Sequence, residues 1–182
     1  MMTARALWIT GLPASGKTTL ALRLCTALQG RGVRAALVDS DEVRSAITPA
    51  PRYSPDERLL VYRAIAYVAA RLGAEGIVPV VAATAHDERL RRAVRELLPE
   101  MFLVFASCPI EECERRDPRG LYARAREETL QAGHTTLPGV GVAYEPPPDA
   151  DLVVDTSCRV PQSTIELIAD SFSGARQHVI HA

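Results

Sequence analysis

Short apolar runs alternate with longer amphipathic stretches along this chain. Five apolar runs bounded by turn residues have the length of buried β-strands, and they are Ala4–Thr10, Val33–Val38, Ile77–Ala83, Met101–Ala106 and Leu152–Val154. Five stretches have the wider spacing of amphipathic helices: Gly16–Gln29, Pro55–Leu72, Asp87–Leu97, Ile110–Arg116 and Pro161–Phe172. Strands that alternate with helices predict an α/β protein in which helices cover both faces of a parallel sheet.

One segment interrupts this alternation without dividing the chain. Residues from Gln131 to Asp149 have little apolar periodicity and contain three glycines and four prolines. That composition favours a long functional loop or lid over a domain linker. Because 182 residues are the usual size of one domain, we predict a single domain over residues 1–182.

Composition and charge exclude several classes of protein. With 47% hydrophobic and 24% charged residues, the sequence matches a compact globular protein. Basic and acidic residues number 21 and 22, so no overall positive field attracts nucleic acid or a membrane, and we expect neither as a partner. The apolar run Ala6–Ile9 is cut by Gly11 and Pro13 and is too short for a signal peptide, so we expect the protein in the cytoplasm. The four cysteines lack Cys-x-x-Cys spacing and are expected to be reduced thiols.

The strongest chemical signal follows the first predicted strand. Gly11-Leu-Pro-Ala-Ser-Gly16-Lys17-Thr18 satisfies the pattern G-x-x-x-x-G-K-[ST] at the start of a predicted helix. The two glycines let the backbone amides point inward, and the helix adds its positive end, which together bind phosphate. Lys17 would reach the β- and γ-phosphates of ATP, and the Thr18 hydroxyl would bind Mg²⁺. The residues predicted to bind ATP are Gly11, Ala14, Ser15, Gly16, Lys17, Thr18 and Thr19. The alternative is a glycine-rich turn with an exposed lysine.

Two carboxylates follow the second predicted strand. Val33–Val38 leads into Asp39-Ser40-Asp41, which in a parallel α/β sheet emerges in the crevice beside the phosphates. A kinase acting on a hydroxyl needs one carboxylate to deprotonate it and another acidic or hydroxyl group to hold Mg²⁺. We therefore predict that the catalytic residues are Lys17, Asp39 and Asp41. The predicted metal ligands are Thr18 and Asp39. Which aspartate is the base stays open, and either Asp41 or Ser40 could instead cap a short helix over Glu42–Ile47.

These motifs and several others resemble, in order, those of the adenylylsulfate (APS) kinase family. The resemblance runs from Leu7 to about Thr156. Its segments are the Gly-Leu-Pro-x-Ser-Gly-Lys loop, Val38-Asp-Ser-Asp-Glu-Val-Arg44, Ser54-Pro-Asp-Glu-Arg58, Cys113-Glu-Arg-Arg-Asp-Pro-Arg-Gly-Leu-Tyr-Ala-Arg-Ala125, Tyr144-Glu-x-Pro and Val153-Val-Asp-Thr156. The segment that begins at Cys113 looks like the start of the family's lid and is the most specific of them.

The resemblance implies a fold, an activity and an assembly. The fold is that of a three-layer P-loop NTPase, with five parallel strands, helices on both faces and a lid at about 117–148. The activity is the 3′-phosphorylation of APS to PAPS in sulfate assimilation, with ATP and Mg²⁺. The assembly is a homodimer.

The resemblance also assigns five arginines by position. Arg44 and Arg58 would bind the phosphosulfate end of APS, a role that suits guanidinium groups. Arg115, Arg116 and Arg119 would contact the phosphates and the base of ATP. The alternative for each is an ordinary surface ion pair or a charged helix face.

Several substrate-side positions depart from the family pattern. The two phenylalanines that hold the adenine of APS are replaced by Tyr53 and Leu137, which leaves one aromatic stacking face. The family's asparagine is Val61 here, its serine after the third strand is Ala85, and its lid aspartate is Gly141. The residues predicted to bind the acceptor are Asp41, Arg44, Tyr53, Arg58, Leu137 and Gly139.

Three functions remain open at this stage. The first, and the leading one, is APS kinase. The second is a relative that phosphorylates another hydroxylated metabolite, such as a nucleotide, cyclitol, sugar or antibiotic intermediate, and the clustering of the substituted positions keeps it open. The third is a nucleotide-binding module without turnover, against which the retained pair Asp39 and Asp41 argues. In the turn that has lost the serine, His86 is either a ligand contact or a structural residue at a helix start.

Overall fold

The centre of the molecule is one parallel sheet of five strands. The computed structural model describes residues 5–174, with strands β1 (Leu7–Thr10), β2 (Ala35–Asp39), β3 (Val78–Ala82), β4 (Phe102–Ser107) and β5 (Leu152–Asp155). Their order in the sheet is β2-β3-β1-β4-β5, and every neighbouring pair is parallel. The predicted fold class is confirmed, and each predicted strand is present with its ends moved by a few residues. Ala4, where the first predicted strand begins, lies outside the described residues.

Seven helices accompany the sheet within residues 5–174: α1 (Lys17–Gly30), α2 (Ser40–Ile47), α3 (Pro55–Ala74), α4 (Glu88–Arg95), α5 (Ile110–Arg116), α6 (Leu121–Ala132) and α7 (Gln162–Gly174). Five of them were predicted from their amphipathic spacing, α2 was considered only as an alternative, and α6 was not predicted. Only Tyr122 and Ala125 are buried in α6. Because this helix lies outside the two layers that pack on the sheet, it carries no continuous apolar stripe from which its period could be read.

Side chains at the helix starts explain where several helices begin. Ser54 accepts a hydrogen bond from the backbone N–H of Glu57 at the start of α3, and Asp87 caps α4 in the same way. The cap of α2 is Asp39, whose side chain accepts from the backbone N–H of Asp41. The alternative in which Asp41 or Ser40 caps this helix is therefore wrong, because the strand ends one residue later than predicted and both residues already lie in the first turn.

Apolar side chains pack on both faces of the sheet. Along β1, Leu7 and Ile9 belong to the cluster that α1 and α7 cover, whereas Trp8 belongs to the cluster that α3 and α4 cover. This alternation follows from the two-residue period of a strand. At the carboxyl ends of the strands begin the loops of the candidate site.

Two further expectations concern cysteines and membranes. The four cysteines, expected to be thiols, form no disulfide, and Cys158 alone among them is exposed. Across residues 5–174, no helix has the length and apolar character needed to cross a membrane.

Candidate active site

The loop between β1 and α1 has the backbone shape of a phosphate cradle. Ala14 and Gly16 adopt left-handed φ angles of 58° and 87°, which turn the chain into the start of α1. At Gly11, a Cβ atom would lie 2.6 Å from the carbonyl oxygen of Ala106 and 2.8 Å from Ser15 Oγ, so only glycine fits against β4. The amides of the first turn of α1 have no partner within the helix and can bind an anion.

Lys17, the only lysine in the chain, is folded back onto this loop. It is 9% exposed, and its Nζ donates a hydrogen bond to the carbonyl oxygen of Leu12 at 2.5 Å. Burial lowers the pKa of Lys17 from 10.5 to about 8, and the negative charges of Asp41 and Asp39 offset this effect only in part. The buried ammonium group therefore lacks counter-charge, which a phosphate bound in the cradle would supply.

The two predicted catalytic carboxylates have different surroundings. Asp39 is buried, and its Oδ2 accepts from Thr18 Oγ1 at 2.8 Å while its Oδ1 accepts from the backbone N–H of Asp41 at 2.8 Å. The side chain of Asp41 is 60% exposed and pairs with Arg119, whose Nη1 lies 2.5 Å from its Oδ2. Both oxygens of Asp39 are engaged beside the loop, whereas Asp41 is available to a second ligand.

One cavity of about 1230 Å³ brings most of the predicted residues together. It is larger than the roughly 300–1,000 Å³ that encloses one small ligand, so it has room for a nucleotide and an acceptor. The predicted residues that line it are Ala14, Gly16, Lys17, Thr18, Thr19, Asp39, Asp41, Arg44, Tyr53, Arg58, Arg116, Arg119 and Leu137. The predicted residues that do not line it are Gly11, Ser15, Arg115 and Gly139.

The two arginines at the end of α5 point in different directions. Arg116 lines the cavity, and its guanidinium group donates to the carbonyl oxygens of Thr156, at 2.5 Å, and Ser157. The side chain of Arg115 is 72% exposed and pairs with Glu112 away from the cavity. Because successive helical residues point about 100° apart, only Arg116 reaches the place predicted for both.

The loop after β5 contributes residues that the sequence analysis missed. Cys158, Arg159 and Val160 line the cavity, and so does Arg23 of α1, which donates to the carbonyl oxygen of Val160. The only signal that could have revealed this loop is the matching segment Val153-Val-Asp-Thr156 directly before it. It completes the end of the cavity at which Arg116 lies.

The other end of the cavity has a basic and aromatic wall. The guanidinium carbons of Arg44 and Arg58 lie 4.8 and 5.4 Å from the centre of the Tyr53 ring. Arg44 also pairs with Glu57 at 3.1 Å. Arg58 is 7% exposed and donates to the carbonyl oxygens of Tyr53, at 3.0 Å, and Thr136, at 2.5 Å. A wall of this kind suits an anion that carries a planar group.

Three of the departures from the family pattern lie behind this wall. Val61 and Ala85 are fully buried in the core cluster under α3 and do not line the cavity. The backbone N–H of Ala85 donates to the Tyr62 hydroxyl at 2.7 Å. His86 is 5% exposed, lies 3.4 Å from Asp87 and has its pKa lowered by burial. This position supports the structural alternative for His86.

Several residues of the segment at 117–148, which contains α6, line the cavity. Arg119 reaches Asp41, and the hydroxyl of Tyr122 donates to the carbonyl oxygen of Pro13 at 2.9 Å. Near the end of the segment, the ring of Tyr144 stacks on Phe105 with ring centres 5.8 Å apart. These contacts connect the segment to α2, to the phosphate loop and to the sheet.

The same segment contains a turn at 137–142 that requires glycine at position 141. A Cβ atom at Gly141 would lie 1.9 Å from the carbonyl oxygen of Thr135 and 2.7 Å from its carbonyl carbon. Since both atoms belong to the backbone, they cannot rotate away. The aspartate that the family usually has at this position would not fit the turn as it is folded here.

We expect Gly141→Ala to loosen this turn. Overpacking against backbone costs about 1–3 kcal/mol, and amide hydrogen exchange over residues 135–142 should accelerate accordingly. The matched control is Gly30→Ala at the end of α1, where an added Cβ meets nothing within 4 Å. Unchanged exchange in Gly141→Ala would show that the turn adapts without cost.

Comparisons with known proteins agree with this geometry. The sequence model of the family described as adenylylsulphate kinase matches residues 3–155. The adenylyl-sulfate kinase of Paraburkholderia xenovorans is 38% identical over 151 residues, which make up 82% of this chain and 82% of that protein. The adenylyl-sulfate kinase of Marinobacter nauticus is 37% identical over 167 residues, or 91% of this chain and 80% of that protein.

Solved structures share the fold over nearly the whole chain. The APS kinase of Mycobacterium tuberculosis, in complex with AMPPNP and APS, is 28% identical with a TM-score of 0.85 and covers 95% of this chain and 99% of its own. A gluconokinase from Sinorhizobium meliloti, at 18% identity and a TM-score of 0.62, shares the fold alone. From the ordered motifs, the five-stranded sheet and the sequence matches, we conclude that this chain belongs to the adenylylsulphate kinase family.

Proposed function

We propose that this protein is an adenylylsulfate kinase, which transfers the γ-phosphate of ATP to the 3′-hydroxyl of APS and so forms PAPS and ADP in sulfate assimilation. The observation that carries the proposal is a single cavity shared by Lys17, the carboxylates of Asp39 and Asp41, and the wall built by Arg44 and Tyr53. Family membership supports it, as does the complex of the M. tuberculosis relative with AMPPNP and APS.

ATP and Mg²⁺ would bind at the phosphate loop. The amides of the cradle and the Lys17 ammonium group would hold the phosphates, and Arg116 would lie beside the base together with the loop after β5. Thr18 Oγ1 and Asp39 Oδ2 are 2.8 Å apart, and a hydroxyl beside a carboxylate provides the oxygen ligands that Mg²⁺ prefers. When bound there, Mg²⁺ would neutralise negative charge on the β- and γ-phosphates.

Asp41 is our candidate for the base. Asp39 is already engaged by Thr18 and by the backbone of α2, whereas the carboxylate of Asp41 lies at the cavity surface. Asp41 would accept the proton of the acceptor hydroxyl as its oxygen bonds to the γ-phosphorus and the bond from phosphorus to the β–γ bridging oxygen breaks. Lys17 would stabilise the charge that develops on the departing ADP.

A second acceptor is a candidate because of one feature of the acceptor wall. The ring of Tyr53 is already in contact with two guanidinium groups, and Arg58, although it lines the cavity, uses two of its donors on backbone carbonyl oxygens. A hydroxylated anion without an adenine ring could bind here through Arg44 and Arg119. The phosphoryl transfer itself would be the same.

An assay of ADP release distinguishes these functions. Purified protein is given ATP and Mg²⁺ with APS, or with a panel of nucleotides, sugars and cyclitols, and PAPS is identified by chromatography. We expect saturable ADP release with APS as the acceptor and with none of the other acceptors. Release with another alcohol but not with APS would assign the second acceptor, and ATP binding without release with any acceptor would indicate a binding module.

The lowered pKa of Lys17 predicts how ATP binding depends on pH. The group carries its proton below pH 8 and loses it above, and because phosphates favour the ammonium form, binding must then take up a proton. We expect the Kd for ATP to rise by up to about tenfold per pH unit above pH 8. Calorimetry between pH 7 and 9.5 measures this, and the single lysine side chain can be titrated directly by NMR with labelled lysine.

The matched control for this titration is Lys17→Arg, since a guanidinium group stays charged over the whole range. Its Kd for ATP, even if weaker, should not follow the same curve. A Kd that is constant from pH 7 to 9.5 in the parent protein would mean that Lys17 keeps its proton.

The remaining proposals concern organisation. We propose that residues 1–182 form one kinase domain with its lid at about 117–148, and that two such chains form a homodimer, as the family resemblance implies. Exposed apolar side chains on α3, among them Leu60 and Tyr67, are compatible with a protein interface. The cytoplasm, which supplies ATP and reduced thiols, is the proposed location.

A further inference from the structure

The carboxylate of Glu57 joins the separate parts of the acceptor wall. It lies in the first turn of α3 and accepts three hydrogen bonds, from Arg44 Nη1 at 3.1 Å, from the backbone N–H of Tyr53 at 3.3 Å and from the backbone N–H of Arg52 at 2.7 Å. One side chain thus fixes both a guanidinium group and the backbone of the loop before α3.

This loop needs such a restraint because Tyr53 has a left-handed φ of 55°. Residues other than glycine rarely adopt this conformation, which persists only where the surroundings enforce it. The side chain of Tyr53 is itself exposed and contacts the guanidinium groups of Arg44 and Arg58, so no apolar core fixes it. Two backbone hydrogen bonds to Glu57, together with the bond from Arg58 Nε to the carbonyl oxygen of Tyr53, hold this conformation.

The negative charge of Glu57 also holds the guanidinium group of Arg44 in place. The side chains of Arg44 and Glu57 are 11% and 14% exposed, so water screens the pair only weakly. Without the negative charge, the guanidinium group would lose its partner and move towards solvent. Asp56, the neighbouring residue in the same helical turn, is exposed and makes none of these contacts.

The contacts continue from the loop to the lid but not to the phosphate loop. The carbonyl oxygen of Tyr53 accepts from Arg58 Nε at 3.0 Å, and Arg58 Nη2 donates to the carbonyl oxygen of Thr136 at 2.5 Å. Every group that Glu57 holds, directly or through Tyr53, is therefore at the acceptor end of the cavity. Loss of its charge should affect the acceptor and leave ATP binding unchanged.

We propose that Glu57 is a positioning residue for the acceptor, whose carboxylate holds Arg44 and the Tyr53 loop in the arrangement that binds the anionic substrate. The inference rests on the proposed function for the identity of that substrate. It gives Glu57 no contact with the substrate and no part in proton transfer.

The test compares Glu57→Gln with Asp56→Asn, which removes the same charge one residue away. Initial rates of ADP release are measured with APS varied at saturating ATP, and with ATP varied at saturating APS. For Glu57→Gln we expect the KM for APS to rise about tenfold or more, as for loss of a hydrogen-bonded charge, with the KM for ATP within about twofold. Asp56→Asn should change neither, and Glu57→Asp, which keeps the charge on a shorter side chain, should fall between them.

Hydrogen exchange of the Arg52 and Tyr53 amides supplies a readout that needs no turnover. We expect both to exchange at least about tenfold faster in Glu57→Gln than in Asp56→Asn. If the parent protein does not phosphorylate APS, the proposed function fails and the exchange measurement alone decides whether Glu57 holds the loop. The inference would be overturned if Glu57→Gln and Asp56→Asn had equal KM values for APS, or if the KM values for APS and for ATP rose equally in Glu57→Gln. Equal exchange rates of the Arg52 and Tyr53 amides in the two variants would also overturn it.

Discussion

Asp41→Asn should reduce kcat by about 10²- to 10⁴-fold, because the amide cannot accept the proton of the acceptor hydroxyl. The fold should survive, since the side chain is 60% exposed and loses only its pair with Arg119, and exposed pairs contribute about 0–1 kcal/mol. ATP binding should persist because Lys17 and the phosphate loop are intact. Steady-state kinetics and calorimetry with ATP measure the two effects separately.

The control for this prediction is Glu42→Gln, which removes a neighbouring exposed charge from the same first turn of α2. It should retain the kcat of the parent protein. If Asp41→Asn also retains it while Asp39→Asn does not, the base is Asp39 and our assignment of the two aspartates is reversed.

Lys17→Met should lower kcat/KM by about 10²- to 10³-fold or more, the loss found when one charge-stabilising donor is removed from a transition state. The same substitution should not lower the stability of the fold. Burial lowers the pKa of Lys17 to about 8, so at pH 7 the fold holds an ammonium group in surroundings that disfavour its charge. Replacing it with an apolar side chain of similar length should leave the Tm unchanged or raise it.

Thermal unfolding and kinetics on the same samples separate these two effects. Arg71→Met, which removes a positive charge from the exposed face of α3, is the control and should change neither quantity by much. Inactivity of Lys17→Met together with a clearly lower Tm would mean that the lysine supports the fold, and the loss of activity could then not be assigned to catalysis.

Local patterns were sufficient for the fold because its determinants are local. Strand and helix periods, the glycines of the phosphate loop and the proline and serine at the start of α3 each act within a few residues, and the sheet follows from their alternation. Where the local pattern was weak, prediction failed. The helix α6 has only Tyr122 and Ala125 buried, so no apolar period marked it, although its residues are mostly good helix formers.

The sequence by itself determined the phosphate loop, the carboxylates after β2 and the parallel sheet that carries them, because each depends on residues that are neighbours in the chain. Only the tertiary structure decided which of Arg115 and Arg116 reaches the cavity, that Val61 lies behind its wall, and that Glu57 holds Arg44 and Tyr53. Those outcomes depend on the direction in which a side chain leaves its helix and on partners that are distant in sequence. The spacing of neighbouring residues contains no information about such partners or directions.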